Sequence, residues 1–319
     1  MERLLRYWNQ NKRKILITIA FIALVIIIIQ IANEMVKQQN NNRKNVSQQN
    51  TQTAQDVTKP SEAIISNTKL DEKEVEDNSQ LIETFVKYCN EKKIEEAYSL
   101  LSDDCKQAIY SNSNVFIDNY INEIFNTQKT YKLELWTKYN DCYTYRITYL
   151  EGNPLQTGGY TNDNNFVDYI TVVTQEQGLK LNISKLVYKE KLNKTQNDSN
   201  IEVTVNSKLV YIDYEIYNIT VKNNTDRTIL LNDGKTASKF CLLDEKDNAY
   251  NSIINELPMN SLILDAKYQR TFNLKFNKIY NASSKITYMK ITDIYLDKDQ
   301  YDSNVNIEEL ETTTIKIKL

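Results

Sequence analysis

LIETFVKYCNEKKIEEAYSLLSDDCKQAI, residues 81–109, followed by a change of period near residue 130, decides the fold class. Leu81, Ile82, Phe85, Val86 and Cys89 recur at helical spacing behind Ser79, which reads as an N-cap. Ile94, Ala97, Tyr98 and Leu101 line one face of a second helix, and Ser102-Asp103-Asp104 caps a third that carries Cys105, Ala108 and Ile109. A fourth helix is expected after Asn114, with Val115, Phe116, Tyr120, Ile121, Ile124 and Phe125 on its apolar side. The period then drops to two. Tyr131, Leu133 and Leu135 alternate with polar neighbours, as do Tyr143, Tyr145, Ile147 and Tyr149. Phe166 to Val173 and Leu179 to Val187 complete a meander, with turn signals at Gly152-Asn153-Pro154, Gly158-Gly159 and Gln177-Gly178. Helices followed by a run of antiparallel strands give an α+β domain, predicted over residues 79–192.

Outward from this domain, residues 191–200 (KLNKTQNDSN) are polar and read as an inter-domain linker. The remainder, residues 193–319, is rich in short strands. Ile201, Val203 and Val205 alternate, Asn223-Asn224-Thr225-Asp226 forms a turn cluster, and Phe240–Leu243 runs into the hairpin turn Asp244–Asn248. Further strands are expected at 268–276, 286–296 and 313–318. Seven or eight short strands with regular turns predict an all-β sandwich.

Towards the N-terminus, residues 37–78 are amide- and charge-rich with almost no aromatic side chain, so they cannot bury enough apolar surface to offset their ordering entropy. They are expected to be a disordered tether of about forty residues with a reach on the order of 35 Å. Before it lies ILITIAFIALVIIIIQIA, residues 15–32, which as a helix spans roughly 27 Å, close to the hydrocarbon thickness of a bilayer. A transmembrane anchor is therefore predicted over 15–36, contacting the bilayer through residues 15–32. Arg3, Arg6, Lys12, Arg13 and Lys14 precede it, which places residues 1–14 in the cytoplasm and the bulk of the chain outside. A cleaved signal peptide is the alternative, but the apolar run is long for one and ends Gln30-Ile31-Ala32-Asn33, a poor cleavage site.

Composition narrows the chemistry. The chain of 319 residues contains no His, which excludes a Ser-His-Asp triad, a Cys-His pair and the HExxH zinc motif. Carboxylate, Tyr and Lys chemistry stays open. Net charge is −3 and no basic stripe lies outside the membrane flank, so no nucleic acid is expected as a partner. No cofactor is expected. Four Cys stand at 89, 105, 142 and 241 without a CxxC pair, which excludes zinc-ribbon and thioredoxin-like arrangements. Cys89 and Cys105 fall on adjacent expected helices, and a location outside the cell permits a disulfide between them; the alternative is four small buried apolar side chains.

Two constellations remain. A bent sheet capped by helices leaves a concave pocket, and Tyr145, Asp168 and Tyr169 are the candidates to face it, with Tyr as proton donor and Asp as base; against this, Tyr is an ordinary strand former and Asp an ordinary surface charge. Asp297, Asp299 and Asp302 in LDKDQYDSN have a spacing that can ligate Ca²⁺, but the EF-hand Gly and distal Glu are missing, so a solvated turn is expected and no metal site is assigned.

The helical stretch 81–109 resembles the opening helices of nuclear transport factor 2-like domains, in particular those on membrane-anchored bacterial proteins; the resemblance covers about residues 79–190 and implies helices on one face of a bent antiparallel sheet. YEIYNITVKNNTDRTILL (214–231), FCLLDEKDNAY (240–250) and LILDAKYQRTFNLKF (262–276) are similar to immunoglobulin-like, telokin-like domains of Gram-positive surface proteins, without the inter-sheet Cys pair of antibody domains. Abundant Asn, Ile, Lys and Tyr fit an AT-rich genome of that bacterial group. The resemblance implies a non-enzymatic, cell-surface interaction or assembly module with protein partners. One form of this is a scaffold subunit of a conjugative or secretion apparatus. A binding module for cell-wall glycan or protein ligands, and a small-molecule pocket or enzyme in the α+β domain, are the alternatives.

Overall fold

The computed structural model describes residues 64, 70–151, 165–233, 239–253, 262–278, 285–303, 306 and 309–319. The expected cytoplasmic tail, the anchor 15–36 and the turns at 152–154 and 158–159 lie outside these residues, as does the tether up to residue 69 apart from Ile64. Among the described residues no helix is long and apolar enough to cross a membrane.

The first helix, α1, spans Glu72–Asn90. It starts well before Ser79, which is an interior, buried position. Asp71 is the cap. Its Oδ1 accepts the Glu74 N–H at 2.7 Å while Glu74 Oε2 accepts the Asp71 N–H at 3.1 Å, a reciprocal capping box. Residues 72–78 carry a single buried apolar side chain, Val75, so helical periodicity is silent there and only the Asp-x-x-Glu spacing marks the start. Residues 70–78, expected in the tether, are thus ordered. Glu74 Oε1 also accepts the Tyr143 hydroxyl at 2.6 Å and the Lys138 ammonium at 3.0 Å, which pins the helix start to the strands below.

Short helices come next: α2 (Ile94–Ser99), α3 (Asp103–Ala108) and α4 (Ser113–Phe116). Ser102 caps α3 as expected, its Oγ accepting the Cys105 N–H at 3.0 Å. The fourth helix starts after Asn112 rather than Asn114, because the Asn112 side chain accepts the Val115 N–H at 3.1 Å. It passes into a π-helical turn, Ile117–Ile121, before a last turn α5 (Asn122–Ile124). Together these elements cover one face of a four-stranded antiparallel sheet, β1 (Lys129–Tyr139), β2 (Cys142–Glu151), β3 (Phe166–Gln175) and β4 (Gly178–Asn182), in that order. Ile82, Phe85, Phe116 and Tyr120 from the helices, and Leu101 from the link between α2 and α3, meet Leu135, Tyr145, Ile147, Tyr149, Ile170 and Val172 from the sheet in the first core. The single strand expected at 179–187 is two strands, because Ser184 and Lys185 both adopt positive φ (55° and 66°) and turn the chain out of the sheet.

The largest departure from the sequence expectation comes after β4. Residues 191–197 are not a linker. They are the second half of β5 (Leu186–Asn197), which pairs antiparallel with β6 (Ile201–Tyr211), placing Lys191 opposite Ser207 and Thr195 opposite Thr204. β7 (Tyr214–Asn223) and β12 (Gln269–Asn277) complete this sheet in the order β12-β7-β6-β5. The far half of β5 is exposed and polar, so it lacks the apolar alternation that marks a strand, and its backbone ladder carries it.

A third sheet is built from β8 (Ile229–Leu230), β9 (Phe240–Asp244), β10 (Ala249–Asn251), β11 (Ile263–Leu264) and β13 (Ile286–Tyr295) in the order β10-β9-β13-β8-β11, with β14 (Thr312–Lys318) paired to β13. The second and third sheets enclose another core. Val203, Val205, Ile219 and Leu274 come from one; Phe240, Leu242, Met289, Ile291 and Ile315 come from the other. The fold is thus mostly antiparallel sheet. The chain does not break at 192/193. Leu186 and Tyr211 belong to the first core, while Ile201, Val203 and Val205 belong to the second, so β5 and β6 serve both.

Replacing Asp71 by Ala removes one half of the capping box. Loss of such a cap costs about 1 kcal/mol, and the expected result is a lower thermal midpoint with an unchanged circular dichroism spectrum below the transition. A helix that truly began after Ser79 would leave the midpoint of Asp71→Ala unmoved.

Candidate functional site

Strand parity decides which candidate residues can meet. Antiparallel pairing puts Ile147 opposite Asp168 and Tyr145 opposite Ile170, so Tyr145, Asp168 and Ile170 point to the helix-covered face. Tyr169 opposes Arg146 and points the other way, where it packs edge-on against Trp136 with ring centroids 5.4 Å apart. Tyr145 is buried, but its Oη accepts Asn78 Nδ2 at 3.0 Å. The trio Tyr145, Asp168 and Tyr169 is therefore not one site: two members share a face, each with its own partner, and the third lies across the sheet.

Asp168 instead lies at the centre of a buried network. Its Oδ2 accepts the Tyr120 hydroxyl at 3.2 Å and the Ser184 N–H at 3.1 Å, and its Oδ1 accepts the Tyr169 N–H at 2.7 Å. Tyr120 and Tyr149 are joined Oη to Oη at 2.9 Å. Because the Tyr120 proton is directed at the carboxylate, Tyr149 is the donor in that pair. On the other side Ser184 Oγ meets Tyr110 Oη at 2.6 Å. Each member is positioned by a local feature. Tyr120 sits in the π-helical turn, Tyr149 on the inward parity of β2, and Ser184 on the positive-φ corner after β4.

Asp168 is 3% exposed, and burial is the largest influence on it, raising its carboxyl from the ordinary 3.8 to about 6 against the opposing pull of its backbone and hydroxyl donors. Burial also pushes the Tyr120 and Tyr149 hydroxyls well above their ordinary value, so both remain protonated donors. Around this network the rings close-pack: Phe116 stacks on Tyr120 at 5.6 Å, Phe125 meets Tyr149 edge-on at 5.2 Å, and Tyr110 meets Phe116 edge-on at 5.4 Å. The side chains that would line a hollow between helices and sheet thus pack against one another. A hydrogen-bonded carboxylate so enclosed fixes the relative positions of β3, the helical layer and the corner at Ser184.

The expected disulfide is not formed. Cys89 and Cys105 are free thiols with no exposed surface. Cys89 faces the core from α1, and Cys105 sits at the start of α3 with its sulfur towards the Ile183 backbone. Burial raises the Cys89 thiol, and pushes Cys105 up to about 12. Both serve as small apolar side chains.

The acidic loop is a short helix, α6 (Lys298–Asp302), capped by Asp297, whose Oδ1 accepts the Gln300 N–H at 3.1 Å. Asp297 Oδ2 lies 3.4 Å from Arg227 Nη1, and Asp302 pairs with Lys298. Thus two of the three carboxylates already face cations of the chain itself. An open cleft of about 550 Å³ lies beside the loop, lined by Arg227, Thr228, Asp297, Asp299 and Gln300 among others.

No protein-family model and no curated protein matches the chain. A solved structure, a conserved hypothetical protein from Bacillus anthracis, is similar over 32% of this chain and 89% of its own, at 19% identity and a TM-score of 0.25.

Asp168 makes stability depend on pH in a direction opposite to most carboxylates. Its folded pKa lies above its unfolded one, so the folded state holds the proton more tightly, and this contribution is fully present below about pH 3.8 and lost as pH rises through about 6. The rise corresponds to about 3 kcal/mol at roughly 1.4 kcal/mol per pH unit. The difference in unfolding free energy between wild type and Asp168→Asn, measured by denaturant titration, should fall by about two-thirds of that amount between pH 4 and 6 and be level from 7 to 8. A flat difference across pH 4–6 would show that Asp168 is not buried as described. Separately, two thiols, Cys89 and Cys105, should resist labelling in the native protein, and all four should label after unfolding without reductant.

Proposed function

We propose that the chain is a single-pass membrane protein that displays a helix-covered α+β domain and a β-sandwich outside the cell, as a non-enzymatic module for assembly with other proteins. The α+β part is of the nuclear transport factor 2-like kind and the sandwich of the immunoglobulin-like kind, and a scaffold subunit of a conjugative or secretion apparatus is the specific form of this reading. The observation that carries it is the pairing of one apolar run, Ile15–Ala32, preceded by Arg3, Arg6, Lys12, Arg13 and Lys14 and followed, after Glu34, by only Lys37, Arg43 and Lys44, with a polar, two-core body. The interior supports a structural use of the α+β domain: the buried Tyr and Asp groups that would serve acid–base chemistry hydrogen-bond one another beneath packed aromatic rings.

The test is topological. In intact bacterial cells expressing the full chain, added protease should digest the body beyond residue 79 and leave an N-terminal tag protected. Changing Arg3, Arg6, Lys12, Arg13 and Lys14 together to Gln should sharply reduce the fraction of chains with an exposed body, because the charge bias sets orientation. A body untouched by protease, or a mature chain found free in solution and starting beyond Ala32, removes the proposal. Crosslinking in the same cells should trap the full chain in complexes with other membrane proteins.

A further inference from the structure

The turn between β4 and β5 joins the buried Asp168 network to the second sheet. Ser184 and Lys185 take consecutive left-handed conformations, φ 55° and 66°, with no glycine at either position. Neighbours hold that strained pair. Asp168 Oδ2 accepts the Ser184 N–H at 3.1 Å, the Tyr169 carbonyl accepts the Lys185 N–H at 3.3 Å, and Tyr110 Oη meets Ser184 Oγ at 2.6 Å. On its other side the corner grips the turn between β6 and β7. The Lys185 carbonyl accepts the Ile212 N–H at 3.0 Å, and Lys185 Nζ donates to Asp213 Oδ2 at 2.8 Å. The Asp213 carbonyl in turn accepts the Lys278 N–H, just beyond β12, at 2.9 Å.

This corner is also the thin side of the enclosure around Asp168. Towards the helices and β2 the carboxylate is covered by Tyr120 and Tyr149, both buried, with Phe116 and Phe125 packed on their rings. Towards the corner lie only half-buried Ser184 and exposed Lys185. Swinging these two residues outward relieves their left-handed backbone and lets water replace the Ser184 N–H as donor to the carboxylate.

The groups that face Asp168 leave it as the one to change charge. Burial holds the hydroxyls of Tyr110, Tyr120 and Tyr149 above their ordinary value, as it does the thiols of Cys89 and Cys105. The Lys185 ammonium is engaged by Asp213. Asp104 and Lys106 act on Cys105 with opposite signs, and Glu123, which acts on Tyr110, is exposed.

We propose that Ser184–Lys185 is an acid-closed latch between the helix-covered core and the second sheet, shut over the neutral carboxyl of Asp168 and opened to water when that carboxyl ionises. With the latch shut, burial raises the carboxyl from 3.8 to about 6; hydrated, it returns towards its ordinary value. The closed state therefore holds the proton more tightly, and opening becomes more frequent as pH rises through that interval. Opening breaks the hydrogen bond from Ile212 to Lys185, so the β6–β7 turn is fixed to the corner in acid and released from it at neutral pH. The latch goes beyond the assembly reading and does not depend on which side of a membrane the body lies.

Hydrogen–deuterium exchange of the full chain in detergent micelles, followed by mass spectrometry from pH 4 to 8 and corrected for the intrinsic pH dependence of exchange, tests it. Peptides covering Ser184–Lys185 and Ile212 should exchange faster by about tenfold or more between pH 4 and 7, then level off. Peptides from the β2–β3 ladder should exchange more slowly than these at every pH. Asp168→Asn cannot ionise and should give a corner rate that is flat with pH. If that variant disturbs folding, Tyr120→Phe removes one donor to the carboxylate and should move the levelling point to higher pH. A wild-type corner rate that is flat or falls with rising pH would overturn the latch. So would corner peptides no faster than the ladder, a pH response that survives in Asp168→Asn, or an unmoved levelling point in folded Tyr120→Phe.

Discussion

The backbone ladder between β5 and β6 holds the two halves of the described structure in one piece. At one end of that hairpin Leu186 and Tyr211 close the core beneath the helices, and at the other Ile201, Val203 and Val205 form one wall of the sandwich core. Both strands are long, 12 and 11 residues; β5 carries register irregularities between Leu186 and Tyr188 and between Lys191 and Lys194, and β6 one between Val205 and Ser207. Such bulges bend and twist a strand, and those at Lys191/Lys194 and Val205/Ser207 occur between the part that faces one core and the part that faces the other. A flexible linker would let the two domains swing independently. A shared sheet transmits any displacement of one core to the other through paired hydrogen bonds.

Within the α+β half, polar groups are placed where apolar ones would pack at lower cost. Burying the Asp168 carboxylate is unfavourable, and only its hydroxyl and backbone donors offset that penalty. What such a network supplies is geometry. Its partners come from the π-helical turn, from β2 and from the positive-φ corner at Ser184, so it is satisfied by one arrangement of three segments distant in sequence. Glu74 performs a related task at the entrance to the domain, where it caps α1 and accepts from Tyr143 and Lys138 at once; the Tyr143 hydroxyl is the main reason its carboxyl titrates below the usual range. In the sandwich, buried Asn223 organises the loop after β7 by donating to the carbonyls of Arg227, Leu264 and Asp265 while accepting from Thr225.

Much of this is legible where burial follows a period. The alternation of Tyr143, Tyr145, Ile147 and Tyr149, the Ser102 cap and the turn at Gln177-Gly178 all appear where the sequence places them, Gly178 with φ +104°. Elements held by backbone pairing or side-chain capping alone leave no such trace, which is why periodicity assigns the start of α1 to a tether and the far half of β5 to a linker. The separation of Asp168 from Tyr169 is readable in principle, since neighbours on a strand point to opposite faces. The partnership of Asp168 with Tyr120 is not. It spans 48 positions and depends on a π-helical turn for which residues 117–121 carry no recognisable signal.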